Sequence, residues 1–177
     1  INITGNASSP AIGLLNNGGT MNIGTNGTTT TSGTVTFSVD SLSFALGTTT
    51  VSGTGGLVLK PATTGATIGV GTGNGTLSLP SSWFTGTSVF KNGFSAIVLG
   101  ASDAGNITVG GANTFVDNVT LLSGTNITLN AGANITNTQS DAYIALAATG
   151  NFINNTAGTT AFTTTGSNGR WLVYSAA

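Results

Sequence analysis

Four carboxylates, Asp40, Asp103, Asp117 and Asp141, are the only acidic side chains in this 177-residue sequence, which contains no His, no Cys and no Glu. A glycosidase needs two carboxyls roughly 5–10 Å apart across a cleft. Asp117 and Asp141 lie 24 residues apart, a separation that would stack them if the chain repeated with a similar period. Each stands beside turn formers, and no basic residue is near either of them in sequence. Capping of turns is therefore the preferred role, and no catalytic residue is expected. Tetrahedral metal sites draw on the missing His and Cys. The EF-hand loop and the Gly-Gly-x-Gly-x-Asp repeat of calcium-binding solenoids are absent as well. No metal site and no cofactor are expected. Acid–base and nucleophilic catalysts draw mainly on the residue types this chain lacks, so it reads as a structural or adhesive module and not as an enzyme.

The most distinctive segment is Pro80 to Phe94, which gathers Trp83, Phe84, Phe90 and Phe94 around Lys91. As a binding loop it would stack a sugar or a protein partner on aromatic faces, with Trp83, Phe84 and Lys91 as the candidate ligand-binding residues. As a structural feature it is a wider turn whose rings fill the core, and this reading is favoured because Phe is seldom left exposed. Trp171 and Tyr174 are candidates for a cap or an end-to-end contact, since an uncovered sheet edge invites stacking. Such a contact would join apolar surfaces at 1–12 and 171–177. Asn-x-Ser/Thr sequons begin at Asn2, Asn6, Asn26, Asn74, Asn106, Asn118, Asn126, Asn134 and Asn154. In a chain this rich in Ser and Thr they barely exceed chance. Asparagines that point inward and form hydrogen-bonded ladders between coils are as good a reading of them as glycosylation. The Thr34-Val35-Thr36 and Thr163-Thr164-Thr165 runs do not recur with a period, which weighs against an ice-ordering array.

The elements that position these residues are short strands. Apolar–x–apolar units recur as Leu57-Val58-Leu59, Ile68-Gly69-Val70, Leu77-Ser78-Leu79, Ile97-Val98-Leu99 and Ile107-Thr108-Val109. They continue as Val119-Thr120-Leu121, Ile127-Thr128-Leu129, Ile144-Ala145-Leu146 and Leu172-Val173-Tyr174. Alternation over three to five residues marks a strand with one buried face, and the Gly, Asn and Asp between units make turns. No apolar 3.6-residue period runs for helical length, so helix should be almost absent. A sandwich or barrel and a parallel solenoid share this pattern. Strand length favours the solenoid: these units fall short of the roughly five to six residues of sandwich strands. Hairpin turns are scarce, with Asn26-Gly27 and Asn74-Gly75 isolated. Two or three units per coil give about 20–30 residues, each coil rising about 4.8 Å. The first 55 residues are less regular. Met21–Ile23, Val35–Val39 and Leu42–Leu46 look strand-like, and Thr28–Thr31 reads as a loop or a Thr ladder. The chain is expected to form a single domain over 1–177, with regular coils from 56 and a closing segment at 169–177.

Composition narrows the partners. With 38% apolar residues and a net charge of −1, the chain lacks the low hydrophobicity and high charge of disorder. Three basic residues, Lys60, Lys91 and Arg170, are too few for a phosphate-binding face or a polybasic membrane patch. No run approaches the roughly 18 apolar residues of a membrane span. Neither nucleic acid binding nor membrane insertion is expected.

From residue 77 onward the sequence resembles the repeats of very large bacterial surface proteins of the filamentous-haemagglutinin type. The strings that carry the likeness are Asn92–Gly100, Asp103–Val109, Thr114-Phe115, Asp117–Leu121 and Gly124–Leu129. The ending Gly169–Ser175 is similar to a segment that closes the β-helical region of such adhesins. The resemblance implies a right-handed parallel β-helix, export across the envelope, and a stalk or adhesive role outside the cell. The N-terminal secretion domain usual in that family has no counterpart here. The expectation is thus an all-β, non-catalytic adhesin segment at the bacterial surface or secreted, facing a glycan or protein of a host or neighbouring cell. The alternative is a subunit of an extracellular filament that self-associates end to end, and a polysaccharide-active enzyme stands third.

Overall fold

The computed structural model describes residues 2–3, 6–8, 12–23, 28–44, 50–158 and 160–176, side chains being described from Ser32 onward. Every strand pairing among them is parallel. A first sheet of eight strands runs in the order Asn2–Ile3, Ile12–Ile23, Val35–Phe44, Gly56–Lys60, Ala96–Ala101, Val119–Ser123, Tyr143–Ala148 and Arg170–Tyr174. A second sheet of five runs Leu77–Leu79, Ile68–Gly71, Ile107–Gly110, Ile127–Leu129 and Phe152–Asn154. Two sheets of three complete the fold: Ala112–Phe115, Asn134–Ser140 and Phe162–Thr165, and Asn6–Ser8, Thr28–Thr31 and Thr50–Gly53. Helix among the described residues is confined to one 3-10 turn, Ser81–Phe84.

From Ala96 onward the chain visits three sheets in rotation and then returns to the first, one strand further along. Partner residues lie 20 to 27 positions apart, as in Ile107 with Ile127 and Ile144 with Trp171. The interval widens to 39 or 40 where Ile68 pairs Ile107 and Leu57 pairs Ile97. The extra residues form the Leu77–Leu79 strand, the 3-10 turn and the aromatic segment. The gap in the apolar–x–apolar series between Leu79 and Ile97 is therefore an insertion into one layer. Thr28–Thr31 is a strand, in register with Thr50–Gly53, and not a loop. The Asn26-Gly27 turn lies outside the described residues.

The period-two pattern dictates the packing. Leu57, Ile97, Val119 and Ile144 occupy one column across the first sheet, and Leu59, Leu99, Leu121 and Leu146 occupy the next. All eight are at most 1% exposed. Burying each side chain of this size is worth about 1.5–3 kcal/mol, and like sits on like, so each layer repeats the shape of the last. Ile68, Ile107 and Ile127 do the same in the second sheet. Alternation continues unbroken from Asn113 through Phe115, Asp117, Val119 and Leu121 to Ser123, all buried, carrying the inward face around the corner between two sheets. Gly100 lets layers approach: its φ is 105°, and a Cβ there would meet the Leu122 carbonyl oxygen at 2.1 Å.

Truncating one of these columns should open a cavity that the layers above and below cannot close. Leu121→Ala is expected to cost about 2–5 kcal/mol in urea unfolding, whereas Thr120→Ala, one residue away on the outer face, should cost no more than about 1 kcal/mol.

Candidate functional site

The aromatic insertion is built inward. Trp83, Phe84, Val89, Phe90 and Phe94 are all at most 5% exposed. Phe90 stacks on Phe84 with ring centroids 5.4 Å apart, and Phe84 leans on Phe115 at 5.0 Å. Trp83 meets Phe44 edge-on at 4.8 Å. Trp83 and Phe84 therefore do not offer the open stacking faces of a sugar-binding loop; the insertion needs its rings to fill a locally wider interior. Lys91 turns back on its own loop, its Nζ donating to the Thr87 carbonyl at 2.7 Å. Backbone bonds Lys91 to Val51 and Ser95 to Gly55, both 2.9 Å, strap the segment to the preceding layer.

Beside these rings lies a buried polar belt that the strand reading left unassigned. Asn113, Asp117, Ser123 and Asn137 stand at inward positions and are at most 1% exposed. Ser123 donates to the Gly105 carbonyl at 2.8 Å. The Asn113 amide nitrogen reaches the carbonyls of Gly110, Gly111 and Asn134, at 3.1, 2.9 and 3.2 Å. Asn137 donates to the Asp117 carbonyl at 2.7 Å. Asp117 Oδ1 accepts from the Gly93 amide at 3.0 Å, while its Oδ2 and Asn113 Oδ1 are buried without a hydrogen-bond partner. Burial dominates the Asp117 carboxyl and pushes its pKa up, against the opposing pull of the Gly93 and Phe94 amides. The signal for all four was available: each sits two residues from an inward apolar side chain, in phase with it.

Asparagine also stitches the outside. Asn106 Oδ1 accepts from the Asn126 amide at 3.2 Å, and Asn126 Oδ1 accepts from the Asn151 amide at 2.7 Å. Asn118 bridges two neighbours, donating to the Ser95 carbonyl and accepting from the Tyr143 amide, both at 3.0 Å. Three of the sequon asparagines thus form interlayer ladders at strand entrances, on the rim and not inside.

Asp117 and Asp141 do not share a cleft. Asp117 is buried, whereas Asp141 is exposed, with φ at 61°, and caps a turn of the next layer by accepting from the Asn168 amide at 2.9 Å. Asp40 caps similarly, accepting from the Thr63 hydroxyl at 2.6 Å and from the Thr63 and Ala62 amides at 2.9 and 3.0 Å. The Thr63 hydroxyl is the main cause holding its pKa below the ordinary value. Among the described residues no three His, Cys, Asp or Glu side chains gather as metal ligands.

Trp171 and Tyr174 lie on Arg170–Tyr174, 55% and 60% exposed. Trp171 stacks on Phe162 at 5.4 Å and, with Phe152, Ala161 and Val173, lines an open hollow of about 500 Å³. Tyr174 borders a different, smaller hollow beside Leu122 and Ala147, so the two candidate contact residues do not form one patch. Arg170 rests over the Tyr143 ring at 6.0 Å. Residue 1, the side chains to 31 and residue 177 lie outside the described residues, and with them one half of the expected end-to-end surface.

The two shifted carboxyls make opposite contributions to stability. Asp117, raised above 3.8, stabilises most below that value, and its contribution is lost as pH rises through its folded pKa. Asp40, lowered from 3.8, contributes fully above that value and loses its contribution as pH falls through its folded pKa. In urea titrations from acid to neutral pH, Asp117→Asn should raise neutral-pH stability relative to wild type. Asp40→Asn should lower it.

Comparison with protein-family models, curated proteins and solved structures found no match.

Proposed function

We propose that this chain is a stretch of right-handed parallel β-helix that serves, without catalysis, as a structural and adhesive segment of a filamentous-haemagglutinin-type bacterial adhesin, secreted or displayed on the cell surface. The observation that carries the reading is the in-register stacking of like residues at an interval of 20 to 25 positions, as in Ile107 with Ile127 and Leu121 with Leu146. A strand that returns parallel in the same sheet does so through a right-handed crossover in about 98% of cases, which supports the hand. The mechanism is mechanical. Interlayer hydrogen bonds and stacked apolar columns make a stiff body with few charges, indifferent to ionic strength. Its outer face offers Thr and Asn side chains to a glycan or protein of a facing cell.

One observation favours a second reading. The exposed Trp171–Phe162 stack along the Arg170–Tyr174 edge suits a filament subunit joined end to end, because an open sheet edge takes another strand readily.

Beads coated with the chain should adhere to glycan-bearing cells or matrix protein equally well at low and high salt, and leave the glycans uncleaved. Release of reducing sugar ends would replace this reading with that of a polysaccharide-active enzyme. Concentration-dependent polymerisation in sedimentation runs would replace it with the filament.

A further inference from the structure

An exposed Asn92 precedes Gly93, and the Gly93 amide is held by a buried carboxylate: its N–H donates to Asp117 Oδ1 at 3.0 Å. In an Asn-Gly step the glycine nitrogen can attack the asparagine carboxamide carbon, and glycine has no Cβ to hinder the five-membered ring. The step is limited by loss of the amide proton. A general base must sit within about 2.6–3.2 Å of the atom it deprotonates, and Asp117 does. The Phe94 amide also pulls on this carboxyl, but Oδ2 makes no hydrogen bond and the side chain is 1% exposed, so water does not quench its basicity. Asn92 itself faces solvent, between the two backbone bonds that strap Lys91 and Ser95 to the preceding layer.

We propose that Asn92–Gly93 is a self-modification site at which Asp117 acts as the general base for succinimide formation. The Gly93 nitrogen bonds to Asn92 Cγ, its proton passes to Asp117 Oδ1, and the Cγ–Nδ2 bond breaks. The departing nitrogen takes the proton back from Asp117 and leaves as ammonia. Solvent water then opens the ring at either carbonyl, giving aspartate or isoaspartate with a net gain of about 1 Da. The product sets a new carboxyl near Asp117, and the isoaspartate form adds a methylene to the backbone between two fixed points. The modification therefore loosens the insertion from the body of the fold.

The sequence supplies its own control, Asn74–Gly75, another exposed Asn-Gly step, with no carboxylate bonded to the Gly75 amide among the described residues. Folded protein is aged at neutral pH and body temperature, then digested and mapped by mass spectrometry with isoaspartate detection. Asn92 is expected to convert on the order of tenfold faster than Asn74, less than the 10²–10⁴ of a well-matched base because an amide is a weak acid. In urea, which separates Asp117 from Gly93, the two rates should become equal. Asp117→Asn should abolish the excess in the folded protein. Equal rates in the folded chain, or an excess that survives in urea or in Asp117→Asn, would overturn the proposal. The urea comparison needs no variant and decides the matter by itself.

Discussion

Backbone hydrogen bonding between parallel, in-register strands is the constraint on which the rest of this structure depends. A buried amide or carbonyl without a partner costs free energy comparable to a lost hydrogen bond, and strands of three to five residues are too short to form stable hairpins alone. Stacking a strand on the equivalent strand of the preceding layer, as Val119 stacks on Ile97 and Ile144 on Val119, satisfies both needs. Register then places Leu on Leu and Ile on Ile, so hydrogen bonds and hydrophobic columns reinforce one another. The few charges follow from the same design: a lattice of amides, hydroxyls and aliphatic side chains needs no ion pairs to specify it.

Where the lattice is interrupted, polar chemistry concentrates. The insertion between Leu77 and Phe94 widens one layer, and a cluster of rings from Phe37 and Phe44 to Phe84, Phe90 and Phe115 fills it. Asp117 fastens the insertion by its Gly93 bond, at the cost of burying a carboxyl whose second oxygen has no partner. Packing alone would be served by an apolar side chain at that corner. The position therefore combines a fastening, a destabilising charge and a base against one backbone amide.

The sequence made the strands legible because their alternation is strict: Ile97, Leu99, Val119, Leu121, Ile144 and Leu146 are all core residues. It also favoured core filling for Trp83 and Phe84. The polar belt was not legible, because Asn113, Asp117 and Asn137 look like turn formers until they are counted in phase with Phe115 and Ile135. Asp117 and Asp141 are separated by nearly one repeat, but alternation parity, not spacing, decides the side: Asp117 falls in phase with Val119, and Asp141 precedes buried Ala142. The ladder through Asn106 and Asn126 matches the asparagine pattern expected from the sequence but not the inward placement: the strand entrances hold it at the surface. Sequence spacing also could not show that Trp171 and Tyr174, three residues apart, border different hollows.

Parallel register between layers is tested most directly by cysteine pairing, since the chain contains no cysteine of its own. Thr120 and Ala145 are register partners in adjacent strands of the first sheet. Neighbouring strands lie about 4.8 Å apart, inside the roughly 4.4–6.8 Å that a disulfide spans between Cα atoms. The double variant Thr120→Cys, Ala145→Cys should oxidise quickly to an intramolecular disulfide in the folded protein. The pair Leu122→Cys, Thr128→Cys, which an antiparallel hairpin with the three-residue loop Gly124-Thr125-Asn126 would join, should not. Rapid closure of the second pair and none of the first would contradict parallel stacking and the account built on it.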